Sequence, residues 1–265
     1  MRRSAGTADM QDVLKEVSEG VMTLTLHRVD KKNALTQAMY GFIADAMLEA
    51  AAAPSVHVLV LQGDPTIFSA GNDIADFLDR APSVDSADTD VSRFLRGIAA
   101  FPKPLVACVC GPAVGVGTTM LFHCDLVYAG DNAAFSMPFV NLGLCAEAAS
   151  SLLAPQLMGY HRAAEALLLG EPLLAETALE IGLVNRVVPP SEANALARRQ
   201  ALKLAAKPLP ALMETKRLMK KGQLGQVLAQ IAEEGATFGR LLQSPHAKEA
   251  FSAFLEKRKP DFSAL

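Results

Sequence analysis

The sequence predicts a layered α/β fold with a helical C-terminal third, and two observations carry that prediction. A strand-like apolar run, a helical period and a second strand-like run occur in succession, and the unit then recurs before residue 130. Beyond Ala146 strand patterns nearly vanish, and helical periods dominate to Lys257.

The elements follow in order. Residues 1–10 read as a flexible leader: they hold two arginines but no apolar stretch of the kind a secretory signal needs. Val13 to Val17 and Met22 to Leu26 alternate apolar and polar residues around Glu19-Gly20, the pattern of a half-buried hairpin. Thr36 can cap a helix that runs to about Ala53, where Pro54 stops it, and Val56 to Leu61 then reads as a buried strand. The unit repeats with the strand Leu105 to Cys110, the turn Gly111 to Gly117, a helix to about His123 and the strand Leu126 to Tyr128. Between the units, Arg80 to Asp90 is polar, acidic and aperiodic, as expected of a mobile loop beside a site. Helices are expected over Ala146 to Met158, His161 to Leu169, Ala175 to Ile181 and Glu192 to Ala206, with three more to Lys257. In the stretch Leu209 to Leu242, apolar residues such as Leu212, Met213, Leu218, Met219, Val227, Leu228 and Ile231 fall on more than one side, which predicts burial against a partner subunit.

Bulk properties narrow the function classes. The chain has 265 residues, of which 51% are hydrophobic and 20% charged, enough to bury a sizeable core. A net charge of −3 provides no basic field, so nucleic acid is not an expected partner. The apolar stretch Ala107 to Phe122 is interrupted by glycines and a proline, so no membrane span is expected, and the cytoplasm is the default location. The final Ser263-Ala264-Leu265 resembles the peroxisomal Ser-Lys-Leu address without its lysine. Cys108, Cys110, Cys124 and Cys145 match neither zinc nor redox spacing and read as buried thiols, so no metal is expected.

The chemistry is suggested by two glycine-bearing turns, Ala70-Gly71-Asn72-Asp73 and Gly115-Val116-Gly117, each following an apolar β-like run. Together they can aim main-chain N–H groups at one point, the construction of an oxyanion hole, which narrows the chemistry to acyl compounds and their enolates. Tight strand-to-helix packing would also call for glycine at these positions. A serine hydrolase is disfavoured because no Gly-x-Ser-x-Gly occurs, and a dinucleotide site because Met120 replaces the third glycine of that fingerprint.

Four segments in order, HRVDKKNAL (His27 to Leu35), FSAGNDIADF (Phe68 to Phe77), GPAVGVGTTMLFHCDLVYAG (Gly111 to Gly130) and AFLEKRKPDF (Ala253 to Phe262), resemble the enoyl-CoA hydratase/isomerase, or crotonase, superfamily. The resemblance implies a ββα-superhelix core over residues 11–200 and a helical oligomerisation region over 201–265, assembled as a homotrimer or a dimer of trimers. It also implies an acyl-CoA substrate, with coenzyme A belonging to the substrate and no separate cofactor. The thioester oxygen would lie between the amides of Asn72 and Val116. Arg28, Lys31, Ala70, Gly71, Asp73, Ile74, Phe77, Gly115, Phe139, Leu142 and Lys257 would contact the rest of the substrate, with Lys257 reaching a neighbouring protomer. For these cations the plain alternative is ordinary surface charge. Asp125 also matches the family pattern and reads as a structural brace.

Family members that hydrate a double bond resemble one another in two glutamates, and at those positions this chain has Thr119 and Phe139. The segment FSMPFVNLGLCAEAASS (Phe135 to Ser151) is instead similar to the Δ3,Δ2-enoyl-CoA isomerase branch, as is the turn AGND, and that likeness assigns the base to Glu147. One carboxylate can take a proton from the α carbon and return it to the γ carbon. Phe139, Leu142, Leu144 and Cys145 are expected to surround Glu147 with apolar surface and raise its pKa. A solvent-facing acid at a helix start is the alternative for Glu147. Hydration, another acyl-CoA reaction and non-catalytic acyl-CoA binding remain open as functions.

Overall fold

The computed structural model describes residues 12–79, 89–263 and 265. The leader 1–10, loop residues 80–88 and Ala264 of the C-terminal tripeptide lie outside the described residues.

The chain opens with β1 (Val13–Ser18) and β2 (Val21–Leu26), followed by α1 (Gln37–Ala52), β3 (Val58–Gln62), α2 (Ile74–Asp79), α3 (Asp90–Ala100) and β4 (Leu105–Val109). It continues through β5 (Pro112–Val114), α4 (Val116–Thr119), β6 (Leu126–Gly130), β7 (Ala134–Ser136), α5 (Ser150–Met158), α6 (Tyr160–Leu168) and β8 (Leu173–Leu174). The remainder comprises α7 (Ala175–Glu180), β9 (Arg186–Val188), α8 (Pro190–Ala205), α9 (Leu209–Lys220), α10 (Leu224–Leu242) and α11 (Pro245–Leu255).

β1 and β2 pair antiparallel as the hairpin predicted, and the other neighbours in the main sheet, ordered β1-β2-β3-β4-β6-β9, are parallel. Both faces of the sheet are covered, as parallel strands require. Val58 and Val60 face one way, where Val106, Cys108 and Tyr128 meet Ala193, Leu196, Ala197 and Ala201 of α8. Leu59 and Leu61 face the other way, in the larger core with Met39, Ile43, Met47 and Ala50 of α1. The period-2 alternation of β3 thus sorts its residues between two helical layers. A smaller sheet, β5-β7-β8, lies beside the first.

Thr36 caps α1 by accepting from the Met39 amide at 3.3 Å, and the helix ends at Ala52, two residues before Pro54. The end of α1 and the turn after it are held by Lys103, which is buried and whose Nζ donates to Ala50 O, Ala53 O and Val56 O, each at 2.7 Å. Asp125 accepts from the Leu105 amide at 2.7 Å and from Lys216 Nζ at 2.6 Å, and so ties α9 to the start of β4.

The structure corrects five expectations. Residues 112–114 form the strand β5, because they pair with β7 and are drawn into the smaller sheet. Helix α5 begins at Ser150 rather than Ala146, since Ala148 and Ala149 are left-handed, with φ of 57° and 58°. β9 supplies a sixth strand to the main sheet after the point where strand patterns fade. Asp90 belongs to α3, capped by Thr89, and not to the preceding loop. Within Leu209 to Leu242, Val227 and Ile231 are buried in this chain's own core, whereas Leu218 and Met219 are exposed.

Replacing Lys103 by methionine would keep the alkyl stem but strand three carbonyls. The variant is expected to lose about 3 kcal/mol of stability or more in urea unfolding, and a loss below about 1 kcal/mol would contradict the role given to Lys103.

Candidate active site

The two glycine turns meet. Leu35 pairs with Asn72 in a parallel bridge, in which the Leu35 amide donates to Gly71 O and the Asp73 amide donates to Leu35 O. This pattern commits the neighbours of Asn72 to the bridge and leaves its own N–H facing the other way. Gly71, at φ 89°, lies so close to the second turn that a Cβ there would sit 2.9 Å from Val114 O. Gly115, at φ 56°, donates its amide to Ser136 O, and Val116 begins α4 with its N–H among the first-turn donors that a helix cannot satisfy internally. Gly117 packs against Ser69, where a Cβ would lie 3.1 Å from Ser69 O.

A buried scaffold holds the first turn in place. Asn33, at φ 52°, donates from Nδ2 to Ile67 O and Phe68 O and accepts from the Arg28 amide through Oδ1. Ser69 Oγ donates to Asn33 O and accepts from the Gly71 amide. Arg28 pairs with Asp73 at 2.7 Å and also donates to Ala34 O at 3.0 Å, so its guanidinium braces the turn from the side. The partnership holds the Asp73 carboxyl below its ordinary pKa against the cost of burial.

Glu147 lies on the strained segment before α5 and is only 8% exposed. Its carboxyl is pushed up to about 7, first by burial, then by the nearby negative charge of Glu234, with the Thr119 hydroxyl opposing both. Thr119 Oγ1 is 3.5 Å from Glu147 Oε1, which joins the carboxylate to the end of α4, the helix that Val116 begins. Tyr40 makes a second link. Its hydroxyl donates to Asn72 Oδ1 at 2.5 Å, and its pKa is held well above normal, mainly by burial and then by the proximity of Glu147.

Phe139 rests its ring on Gly115, 3.7 Å from where a Cβ would be, and meets Phe238 edge to face. Phe139 and Leu144 belong to one apolar cluster, with Leu142 packed against it, while the Cys145 thiol points to Glu234 O. The structure therefore brings Asn72, Val116, Gly71, Gly115, Phe139 and Glu147 into one neighbourhood. Ala70 donates its amide to Lys32 O, and Ile74 opens α2; of Phe77 only the backbone is described. Lys31 and Lys257 are exposed, and neither is tied to the turns by a side-chain contact among the described residues.

Three contributors were not singled out in the sequence. Tyr40 reads as one more large residue on the buried face of α1, and only the fold reveals what its hydroxyl meets. His123 is buried, held neutral with a pKa lowered to about 4 by burial, and its Nε2 contacts Ala148 O at 2.8 Å. Glu234 did leave a signal, since it stands on the stripe Val227, Ile231, Glu234, Phe238, where a helix facing a core should carry no unpaired acid.

Two apposed glycine turns and one buried carboxylate pushed up to about 7 suit removal of a proton next to a carbonyl and retention of the resulting enolate. Comparison with known proteins agrees in outline. The sequence profile described as enoyl-CoA hydratase/isomerase matches residues 16–264. The chain is 32% identical over 253 residues to the 2,3-dehydroadipyl-CoA hydratase of Escherichia coli (strain K12), covering 96% of this chain and 99% of that one. It is 34% identical over 256 residues to enoyl-CoA delta isomerase 2 of Rattus norvegicus, covering 95% of this chain but 65% of the longer rat protein. The solved structure of Pseudomonas aeruginosa OdaA superposes with a TM-score of 0.90 at 45% identity, over 92% of this chain and 99% of that one.

The raised pKa of Glu147 also predicts how stability varies with pH. The folded state holds this proton more tightly than the unfolded chain, so the group's contribution is greatest below about 4.5 and is lost as pH rises through about 7. The loss amounts to about 3 kcal/mol. Glu147→Gln should therefore gain stability relative to the parent protein between pH 5 and pH 8, measured by urea unfolding; a difference that does not change with pH would contradict the assignment.

Proposed function

This chain belongs to the enoyl-CoA hydratase/isomerase family and has its crotonase fold, and from that premise we propose that it is a Δ3,Δ2-enoyl-CoA isomerase acting in fatty acid β-oxidation. The observation that carries the reading is the buried carboxylate of Glu147, joined through Thr119 to the helix that the second turn begins, with Thr119 and Phe139 at the positions where the resemblance places a hydratase's two glutamates. The likeness to a named enoyl-CoA delta isomerase supports it.

In this reading the thioester oxygen of 3-enoyl-CoA accepts from the amides of Asn72 and Val116. Glu147 takes a proton from the α carbon; the electrons of that C–H bond delocalise into a dienolate whose oxygen stays in the hole. The same carboxyl then returns the proton to the γ carbon, leaving the double bond between the α and β carbons. Phe139 fills space next to Gly115 with an apolar ring, which favours proton return over attack by water. Tyr40 fixes the Asn72 side chain through its hydroxyl. Ala70, Gly71, Asp73, Ile74, Phe77, Gly115 and Leu142 line the path of the acyl-CoA, with Arg28 bracing it through Asp73. Lys31 and Lys257 remain candidates for the nucleotide end of CoA, the latter from a neighbouring protomer. A homotrimer or a dimer of trimers, built through the region 201–265, belongs to the same proposal, as does a cytoplasmic location. No described helix is long and apolar enough to cross a membrane.

Purified protein is expected to convert 3-enoyl-CoA to the conjugated 2-enoyl thioester, followed by its ultraviolet absorbance, with a rate that rises with pH through about 7 as Glu147 loses its proton. Glu147→Gln should lower kcat by about a thousandfold. Conversion of 2-enoyl-CoA to 3-hydroxyacyl-CoA with no isomerisation would replace this reading with hydration, and tight binding without turnover would replace it with an acyl-CoA-binding role. Tyr40→Phe should fold normally and lose about tenfold in kcat, the effect of one hydrogen bond; unchanged kcat would remove Tyr40 from the site.

A further inference from the structure

The backbone that carries Glu147 would not hold its shape unaided. Ala148 and Ala149 are consecutive non-glycine residues at positive φ, a conformation costing about 1 kcal/mol or more each, and they deliver the chain directly into α5. Three side chains pin this segment. His123 Nε2 holds Ala148 O at 2.8 Å, and Ser150 Oγ donates to Glu147 O at 2.7 Å. The third is Glu234, which reaches from the middle of α10. Its Oε2 accepts from the Ala149 amide at 2.6 Å, and its Oε1 accepts from the Ser151 amide at 3.0 Å and from Ser151 Oγ at 2.5 Å. Gln230, one turn earlier on α10, donates to the same Ser151 hydroxyl at 2.9 Å.

Glu234 thus performs for α5 the task that a local Ser, Thr or Asp performs at most helix starts, and that Ala149 at the cap position has no side chain to perform. All three contacts use Glu234 as an acceptor, the role of an ionised carboxylate. The titratable groups around Glu147 are few. Tyr40 faces it from α1, Cys145 precedes it on its own segment, and both have pKa values raised in part by Glu147 itself. His123, on the next carbonyl, is neutral. Thr119 from α4 does not titrate. Among the described residues Glu234 supplies the formal charge that acts on the carboxyl, and its own pKa is raised by burial against the hydrogen bonds from Ser151 and Ala149.

We propose that Glu234 is the positioning residue for Glu147, holding the left-handed segment that aims it and placing a second negative charge beside it. The inference rests on the reading of Glu147 as the base, but its test does not depend on which reaction that base serves. The full-length protein, with glutamate carboxyls labelled with carbon-13 and the Glu147 signal assigned through Glu147→Gln, is titrated by NMR. Glu234→Gln retains the shape and loses the charge. The Glu147 midpoint should fall by about one pH unit, and the acid limb of 3-enoyl-CoA turnover should move to lower pH with it. A Glu147 midpoint that stays in place in folded Glu234→Gln would overturn the proposal.

Glu234→Asp keeps the charge and withdraws it by one methylene from the α5 amides. It should lower kcat about tenfold while KM stays within about twofold, and a parental kcat would equally overturn the proposal, including in the case where Glu234→Gln does not fold. If the parent protein turns over no 3-enoyl-CoA, the isomerase reading fails, and the NMR titration alone decides the role of Glu234.

Discussion

The approach of Gly71 to the Val114 carbonyl is the constraint around which the site is arranged. A methyl group at position 71 would stand 2.9 Å from that oxygen, so the two turns can meet only with glycine there. Once they meet, each neighbouring polar group is assigned. Leu35 takes up Gly71 O and the Asp73 amide, and Ser136 takes up the Gly115 amide, which leaves the Asn72 amide on the side away from the bridge and the Val116 amide at the start of α4. Behind the first turn Asn33 and Ser69 are buried and hydrogen-bonded and the half-buried Arg28 is paired with Asp73, a scaffold that holds these dipoles fixed.

Glu147 is prepared in the opposite manner. The turns are braced by fixed donors, whereas among the described residues the Glu147 carboxylate has one long contact, with Thr119, and a like charge behind it. A carboxylate so poorly solvated binds a proton too tightly for a surface acid and about tightly enough for exchange with carbon near neutral pH. Stability is given up at this residue and at the left-handed pair that follows it, as functional sites commonly require.

Local rules made much of this legible. The alternation around Glu19-Gly20 defined the hairpin, Thr36 and Pro54 bounded α1, and the glycine turns stood out because each ends an apolar run. The parts that escaped depend on tertiary contacts. Nothing in Ala146 to Ser150 announces a left-handed pair, because alanine has no preference for it; His123 and Glu234, distant in sequence, impose it. Tyr40 escaped because its ring packs like any core aromatic, at 5.3 Å from Phe94, and only its oxygen distinguishes it. Arg28 carries a charge that the sequence leaves unpartnered, and only the fold shows that its guanidinium pairs with Asp73 across the first turn. Glu234 was readable in principle, as an acid out of place on an apolar stripe.

The pairing of β6 with β9 has a consequence for how the molecule assembles. Between these adjacent strands the chain makes an excursion over residues 131–185 that includes Phe139 and Glu147. Closing so long a loop is slow compared with forming the hairpin or α1, so the β6–β9 edge of the sheet is expected to be among the last parts to form. During synthesis the glycine turns emerge before the strand that closes this loop. The two turns can therefore be in position while the segment that carries Glu147, held by Glu234 of α10, is still free, and a chain released before Arg186 would contain both turns and Glu147 but no sixth strand to close the excursion.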